Sequence, residues 1–517
     1  MKNLLKCSLI SAFAGFGLLL LHSCRTDFEP SRSTGNLEFS RDTIFLDTVF
    51  SNIGSSTYSF KVYNRSNELI SIPQVRLAQG ENSQYRLNID GIPGKTFENV
   101  ELPAKDSIYV FVETTVDASQ QDENQFLYTD QILFDSGVYE QQVALVTLIQ
   151  DAIFLYPERN AQGIKETLTL GTDEDGNPIT IEGFILEEDQ LVWTNQKPYV
   201  IYGYAGVAGE QTLRIEAGAR IHFHENSGII LSNGARLEAD GSLSQDPDRL
   251  EGEIILEGDR LEPEFSAVPG QWGTLWFTPG STARMQHVTI KNNAIGILAE
   301  GHSNTNTPDH YFKNIQIYNT ALVGLYGVNA SILGENLVIG NSGISNFWAR
   351  QGGSYEFVHS TFANYWNQSF RNTPSVQLAN FLETEDELLI ADLTKAQFTN
   401  CIIYGNATRE LGLEAVDAAT FQYNFSNSLV RFEDPLDDFT ANPLYQFSNE
   451  TLFTDILLNE DPNFENTALN NYKIIAPSAA RALGNESGAI QVPTDLLGIA
   501  REEHIDSGAY QATDNEN

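Results

Sequence analysis

Apolar and polar residues alternate along much of the first 150 residues of the chain. Residues 58–64 and 107–113 place an apolar side chain at every second position, which is typical of strands with one buried face. Residues that favour turns interrupt these segments at 64–67 and at 90–91. The pattern therefore predicts an antiparallel β-sandwich over residues 37–152.

A different pattern follows a linking hairpin that we predict at 153–194. Five apolar segments each end in an asparagine, at Asn292, Asn319, Asn341, Asn364 and Asn406, with steps of 27, 22, 23 and 42 residues. A repeat of 22–27 residues has room for three short strands and three turns, which make one coil of a right-handed parallel β-helix. The last step holds either two coils or one coil with a long loop.

The five asparagines are expected to lie at a corner of the coil. Asparagine tolerates the left-handed backbone conformation that such a corner needs, and stacked amide side chains hydrogen-bond from coil to coil. We therefore predict that they form one structural ladder. A leucine-rich repeat would require regular leucine spacing and a helical half, and the sequence has neither.

The two patterns together predict an all-β chain, with an N-terminal immunoglobulin-like sandwich followed by a right-handed parallel β-helix. The helix is expected over 195–512, with an insertion near 367–397 and a tail at 513–517. The first domain resembles the Ig-like domains that precede larger modules in envelope lipoproteins, which implies a spacer or adhesion role. That resemblance rests on segments 62–64, 102–107 and 130–134.

The second domain resembles a largely uncharacterised family of bacterial β-helix lipoproteins with a pectate-lyase-like fold. The resemblance rests on segments 211–223, 228–231, 235–241, 258–261, 269–273 and 290–296. The tail is similar to the segment that ends the coil in such helices, at 461–464, 471–474, 476–479 and 506–510, with Ser507 in place of the usual isoleucine. The resemblance implies a fold and no particular reaction.

Net charge narrows the choice of partner. Lys and Arg number 30 against 69 Asp and Glu, so the formal net charge is −39. A surface of this sign repels nucleic acid and bare anionic lipid headgroups. We therefore predict no nucleic-acid partner.

The N-terminus is typical of an exported protein. Lys2 and Lys6 precede an apolar stretch at 9–21 that is short for a membrane span. The residues that follow, Leu-His-Ser-Cys ending at Cys24, resemble the lipobox of bacterial lipoproteins, although His22 departs from its usual small or aliphatic residue. The resemblance implies removal of residues 1–23, acylation of Cys24 and a membrane anchor, and the alternative is an ordinary signal peptide cleaved elsewhere.

A tether is predicted at 24–36. Its acidic residues resemble the signals that send some lipoproteins to the outer face of the outer membrane, and this resemblance implies a location facing the cell exterior. A periplasmic orientation stays open. Cys7 leaves with the signal peptide and Cys24 carries lipid, so Cys401 has no disulfide partner and is expected to be buried. Asp-Ser/Thr-aliphatic triplets at 42–44, 47–49 and 106–108 resemble a bacterial O-glycosylation sequon, but such triplets are common in strands and we favour unmodified structural positions.

The sequence contains no motif for zinc, nucleotide phosphate, dinucleotide or a nucleophile elbow. His222 and His224 lie two apart on a predicted strand and would need a third ligand from a neighbouring coil to hold a metal. Alternation with buried Ile221 and Phe223 explains this pair equally. We therefore expect neither a cofactor nor a metal site.

Aromatic residues are the best candidates for binding. Trp348, Tyr365 and Trp366 lie close to predicted coil corners, where aromatic faces can stack on sugar rings or anchor a protein. Trp272 and Trp276 are an even number of residues apart and are predicted on one side of a strand.

The function predicted from these features is that of a non-catalytic binding or scaffold lipoprotein of the cell envelope. An outer-membrane protein complex or a glycan would be its partner. The alternative is a polysaccharide lyase or glycoside hydrolase of the β-helix class, which rests on fold analogy alone. A groove that combines Lys or Arg with two or three carboxylates would favour the enzyme, whereas a flank with an apolar patch would favour the scaffold.

Overall fold

The computed structural model describes residues 29–116, 125–173, 175–246, 249–302, 307–384, 387–502 and 504–512. The chain divides into two compact units, Met1–Gln150 and Asp151–Asn517. The described residues are almost entirely strands and turns, so the all-β class is confirmed. The predicted signal peptide, the acylation site Cys24 and the tail at 513–517 lie outside the described residues.

The first unit consists of two sheets. One has the strand order Ser31–Arg32, Ile70–Leu77, Gln125–Phe134, Gln141–Gln150 and Thr43–Phe50, with Thr96–Leu102 paired to Ile70–Leu77. The other has the order Glu38–Phe39, Tyr58–Tyr63, Ser107–Thr114, Tyr85–Ile89 and Ile92–Gly94.

The alternating pattern explains how these sheets pack. Phe60 and Val62 point to the buried side of their strand, as do Val110 and Val112 of the paired strand. They share one apolar core with residues of the other sheet, such as Ile72. Burial of one face of each sheet therefore supplies the core of the first unit.

Strands of the second unit pair in parallel with the strand one repeat later. Ile290 is opposite Ile317, which is opposite Ile339, then Phe362 and finally Ile403. All five side chains belong to a single core cluster. Apolar residues at equal offsets in successive repeats therefore lie directly above one another.

Three series of strands follow this rule, and we call them stacks A, B and C. Four long strands bend at a corner and contribute to two stacks: Thr282–Lys291 and His310–Thr320 to C and then A, and Val323–Glu335 and Ser345–Val358 to B and then C. Stack A also contains Ile153–Leu155, Tyr199–Ile201, Arg220–Phe223, Ile254–Gly258, Val338–Ser342, Thr361–Asn364, Ile402–Gly405, Leu429–Val430 and Leu457–Leu458. Stack B also contains Pro178–Ile185, Tyr204–Val207, Gly228–Leu231, Leu275–Phe277, Ile297–Glu300, Val376–Ala379 and Leu411–Glu414. Stack C also contains Val192–Trp193, Thr212–Glu216, Arg236–Asp240, Leu393–Thr399, Asn424–Ser426 and Phe453–Thr454.

The segment predicted as a linking hairpin already belongs to the stacks. Its hairpin is formed by Thr167–Thr172 and Pro178–Ile185. Ile153–Leu155, the end of Pro178–Ile185, and Val192–Trp193 each pair in parallel with the next repeat. The stacked region therefore begins before residue 195.

The long interval between Asn364 and Asn406 is one repeat rather than two. Asn364 is directly opposite Gly405. Between them, Val376–Ala379 enters stack B and Leu393–Thr399 enters stack C. The predicted insertion is therefore largely stacked strand, with a small hairpin of Phe381–Glu383 and Leu388–Ile390 added.

The C-terminal segment from 461 to 512 packs on the outer face of stack A. It contains the hairpin Phe464–Asn466 and Asn471–Ile474 and the helix Glu486–Gln491. Tyr472 and Tyr510 pack on Val338 and Ala363. A Cβ at Gly340 would collide with the Tyr472 ring, so glycine there admits the tyrosine. The resemblance implied a segment that ends the coil, whereas this segment covers one flank. Short 3-10 helices complete the described structure at Gly80–Asn82, Gly137–Tyr139, Glu188–Gln190, Pro263–Phe265, Pro443–Tyr445 and Thr467–Leu469.

Candidate functional site

Large side chains form a row on the outer face of stack B. Trp276, Leu298, Tyr326 and Trp348 are opposite one another in four successive repeats, and we call them the aromatic row. Their strand neighbours, such as Phe277, point into the core. Strand alternation therefore leaves one face of each row residue half-exposed.

Charged groups hold the row in place. The rings of Tyr326 and Trp348 stack with centroids 5.7 Å apart, and the Arg350 guanidinium lies 4.9 Å from the Trp348 ring centroid. Trp276 donates a hydrogen bond from Nε1 to Oε2 of Glu300 at 2.6 Å. The row therefore combines flat apolar faces with one cation and one carboxylate at its side.

Of the three aromatic residues predicted to bind, Trp348 alone belongs to this row. Trp366 is 7% exposed and donates its Nε1 hydrogen bond to Ser369. Tyr365 packs against Phe464 and Tyr472 of the C-terminal segment, and burial raises the pKa of its hydroxyl. The predicted binding surface is therefore wrong at Trp366, which is buried, whereas Tyr365 is partly buried against the C-terminal segment.

Trp272 and Trp276 do not share a side of one strand. Trp272 is buried in the core, stacks on Phe223 with centroids 4.2 Å apart, and donates from Nε1 to the Lys291 carbonyl. The strand itself is limited to Leu275–Phe277. The prediction that both side chains lie on one side of a strand is wrong, because the backbone between the two tryptophans is not extended strand.

The predicted asparagine ladder is interrupted. Asn319 donates from Nδ2 to Oδ1 of Asn292 at 3.3 Å. Asn319 and Asn341 are linked through Asn470 of the C-terminal segment. Asn470 donates to Oδ1 of Asn319 and accepts from Nδ2 of Asn341. The three ladder asparagines have positive φ, as expected for a corner.

The last two predicted members do not continue this ladder. Asn364 donates to the Ser342 carbonyl at 2.9 Å, and Asn406 donates to the Trp366 carbonyl at 2.9 Å. Asn406 lies one position beyond the residue opposite Asn364. Its inclusion in the ladder is therefore wrong, because the aligned residue is Gly405.

A second corner, between stacks C and A, carries a longer series that the sequence pattern did not predict. Seven residues there have φ between 47° and 55°: His287, Asn314, Asn336, His359, Asn400, Asn427 and Asp455. Their steps are 27, 22, 23, 41, 27 and 28 residues, which are the steps of the strand register. The equal spacing was visible in the sequence, but the change of residue type concealed it. We call this series the C–A corner.

Polar groups of the C–A corner bond along the series and to the C-terminal segment. Asn314 donates to Nε2 of His287 at 2.9 Å, and Asn336 donates to Oδ1 of Asn314 at 2.9 Å. Arg501 donates to Oδ1 of Asn336 at 3.0 Å, and Asn485 donates to Oδ1 of Asn427 at 2.7 Å. The C-terminal segment thus satisfies amides that would otherwise be buried without partners.

A cleft lies between strands of stack A, neighbouring loops and the C-terminal segment. It has a volume of about 520 Å³, and we call it the stack A cleft. Its lining includes Leu243, Ser244, Leu250, Glu253, Thr289, Lys291, Gln316, Tyr318, Leu469, Lys473, Leu497 and Tyr510. Because these residues come from strands, loops and the C-terminal segment, their sequence positions gave no signal of a shared site.

The floor of this cleft is a hydrogen-bond network around Glu253. Its Oε2 accepts from Thr289 Oγ1 at 2.8 Å and from Gln316 Nε2 at 3.2 Å. Gln316 Oε1 accepts from the hydroxyls of Tyr318 at 2.7 Å and Tyr510 at 3.3 Å. Burial raises the pKa of the Glu253 carboxyl, against the opposing hydrogen bonds and the Arg220 charge.

The two histidines considered as metal ligands have different neighbours. Burial lowers the pKa of His222, whose Nδ1 lies 3.8 Å from Glu257. His224 Nδ1 lies 2.7 Å from Asp259 Oδ2, and this hydrogen bond raises the pKa of His224. No group of three His, Cys, Asp or Glu side chains placed to hold a metal occurs among the described residues. Cys401 is fully buried, and burial raises the pKa of its thiol to about 12.

No protein-family profile matches the sequence, and no curated protein matches it. Solved structures that resemble part of it include the ASH/PapD-like domain 7 of human CEP192, at 10% identity over 23% of this chain and 86% of that one, with a TM-score of 0.15. The periplasmic chaperone SfaE matches at 8% identity over 23% and 65%, with a TM-score of 0.16. A family 123 glycoside hydrolase from Clostridium perfringens matches at 7% identity over 22% and 26%, with a TM-score of 0.15. Scores this low carry no argument about function. In the part of the chain that the structure describes, no helix has the length and apolar character needed to cross a bilayer.

Proposed function

We propose that this chain is a lipid-anchored lipoprotein of the outer membrane, facing the cell exterior, that binds a partner without catalysing a reaction. In this proposal the first unit is an immunoglobulin-like spacer, and the second is a right-handed parallel β-helix. The parallel register of stacks A, B and C, repeated every 22–28 residues over most of the unit, supports the β-helix.

The aromatic row carries the binding proposal. Tyr326 and Trp348 present adjacent ring faces on a rigid strand stack, with Arg350 beside them. Trp, Tyr and Arg are the side chains most enriched at the energetic centres of protein interfaces. Because stacked strands fix these side chains before binding, little conformational entropy is lost on association. We therefore favour a protein partner for the row.

The charge of the chain indicates the character of that partner. A net charge of −39 favours a surface with exposed Lys and Arg over an acidic one. An integral outer-membrane protein with a basic exterior patch fits both properties: the lipid anchor would hold the chain beside it, and the basic patch would attract the acidic surface of the chain. A glycan chain is the other occupant that the row could accept.

The enzymatic alternative receives less support from the geometry. Glycoside hydrolysis generally uses two carboxyl groups on either side of the scissile bond. Among the described residues that line the stack A cleft, Glu253 is the one carboxylate. Lys291 lies 2.8 Å from Glu257 and is therefore held in an ion pair.

Affinity purification from the producing cell tests the proposal. Tagged full-length protein is extracted in mild detergent, and co-purifying proteins and glycans are measured by mass spectrometry. A stoichiometric outer-membrane protein should be retained by the parent and lost by Trp348→Ala. Tyr109→Ala is the matched control, since Tyr109 is an exposed aromatic of the first unit with Lys61 over its ring at 4.7 Å. Equal retention by both variants would contradict the row, and a retained glycan without protein would identify the other occupant.

A further inference from the structure

The stack A cleft has the properties of a small-ligand site that is separate from the aromatic row. Its volume of about 520 Å³ falls in the range of roughly 300–1,000 Å³ that is usual for ligand pockets. Its walls are apolar, with Leu243, Leu469 and Leu497, whereas its floor is polar. The row lies on stack B and shares no residue with this lining.

One carboxylate oxygen in the cleft lacks a protein partner. Glu253 is 6% exposed, and its Oε2 accepts two hydrogen bonds. Its Oε1 accepts none from any residue that the structure describes. Oε1 is not one of the buried polar atoms without a partner, so it meets the solvent of the cleft, where a ligand hydroxyl can donate to it.

Hydrogen bonds hold the backbone at Glu253 in one conformation before any ligand binds. Arg220 donates to the carbonyl of Glu253 at 2.6 Å and to that of Leu250 at 2.7 Å. Thr289 and Gln316 then fix the side chain itself. The open oxygen is thus held in one position, as a site for an oriented ligand requires.

Two lysines line the cleft. Lys291 is paired with Glu257, whereas Lys473 forms no ion pair with a carboxylate in the described ranges. The two lysines are balanced by Glu253 and Glu257, so the cleft carries no excess positive charge. Recognition there depends on hydrogen bonding rather than on net charge.

We propose that the stack A cleft binds a neutral oligosaccharide, with Glu253 and Lys473 bonding its hydroxyls and Gln316 holding the Glu253 carboxylate in place. A sugar hydroxyl both donates and accepts, which suits a floor of one carboxylate, amides, hydroxyls and an ammonium. The aliphatic walls suit the apolar faces of a sugar ring. A polyanionic chain is disfavoured because the cleft is balanced and the whole protein is strongly acidic.

Calorimetric titration of the full chain in mild detergent tests this proposal. The probes are cellohexaose, xylohexaose, mannohexaose and maltohexaose, with hexagalacturonate as the charged comparison. At least one neutral probe should bind with a stoichiometry near one. Glu253→Gln and Lys473→Met should each weaken that binding about tenfold, because each loses a charge-assisted hydrogen bond.

Two controls distinguish binding at the cleft from binding at the aromatic row and from a loss of folding. Tyr109→Ala, at an exposed aromatic of the first unit, should leave the affinity unchanged. Trp348→Ala reports any binding at the aromatic row, and the melting temperature of each variant reports whether it folds. Lys473→Met removes a partly exposed charge while keeping most of the side-chain volume, so it serves even if Glu253→Gln is unstable. Absence of binding to every neutral probe, binding of hexagalacturonate alone, or loss of binding only in Trp348→Ala would overturn the proposal.

Discussion

Asn400 donates a hydrogen bond from Nδ2 to Nε2 of His359 across 2.9 Å, although 41 residues separate them in sequence. Both residues have positive φ and lie one repeat apart on the C–A corner. Because Nε2 accepts, the neutral ring carries its proton on Nδ1, and burial holds the pKa of His359 well below its usual value. The pair links two repeats through side chains, in addition to the strand register.

Replacement of Asn400 by Ala should destabilise the second unit by about 3 kcal/mol. The change leaves buried partners at His359 and Asn485 unpaired and puts alanine, which tolerates the left-handed conformation less well than asparagine, at a positive φ. Denaturant unfolding followed by tryptophan fluorescence measures this loss, since all five tryptophans lie in the second unit.

Two further variants separate the causes. Asn400→Gly removes the backbone strain and keeps the hydrogen-bond loss, so its effect should be smaller than that of Ala. Asn372→Ala, at an exposed asparagine, should change stability by less than about 0.5 kcal/mol. Equal losses in Asn372→Ala and Asn400→Ala would show that the corner has no special role.

Repeat spacing could be recognised from the sequence because Asn292, Asn319 and Asn341 mark it with one residue type. The C–A corner uses His, Asn and Asp at the same spacing, and the physical requirement there is positive φ rather than one side chain. Burial of Tyr365 could not be predicted, since the segment that covers it lies about a hundred residues further on. Strand patterns report which face is inward, but they do not report what later covers the outward face.

Acidification should weaken the folded second unit through His310. This side chain is 1% exposed and stacks on Phe277 with centroids 5.2 Å apart. Burial lowers the pKa of His310 to about 4, while Asp309 opposes the shift. The unfolded chain therefore binds more protons than the folded one between pH 6.5 and 4, so stability is full above pH 6.5 and falls as the pH drops.

The loss attributable to His310 is at most on the order of 3 kcal/mol by pH 4. His310→Phe keeps an aromatic ring at the site and should flatten the fall of melting temperature between pH 7 and pH 4.5. His504→Phe, at an exposed position, is the control and should keep the slope of the parent. An unchanged slope in His310→Phe would show that this ring does not titrate with unfolding.

Membrane attachment should depend on Cys24. In the proposed lipoprotein the thioether-linked lipid is the anchor, so Cys24→Ala should release the protein from membranes washed at high salt. Cys7→Ala changes the other N-terminal cysteine and should leave the protein in the membrane fraction. Fractionation with immunoblotting measures both, and membrane retention of Cys24→Ala would contradict the anchor.

The full chain should not depolymerise pectin, alginate or other uronic-acid polymers, with or without calcium. Such polymers carry one negative charge per residue, and a protein of net charge −39 repels them unless a local basic groove offsets it. The stack A cleft offers no basic cluster, because Lys291 is paired with Glu257, and Lys473 is the other lysine among the described residues that line the cleft. Ultraviolet absorbance of unsaturated uronide products measures the reaction. Steady growth of that absorbance in the parent, abolished by Glu253→Gln at an unchanged melting temperature, would identify Glu253 as catalytic and replace the non-catalytic proposal with the enzymatic one.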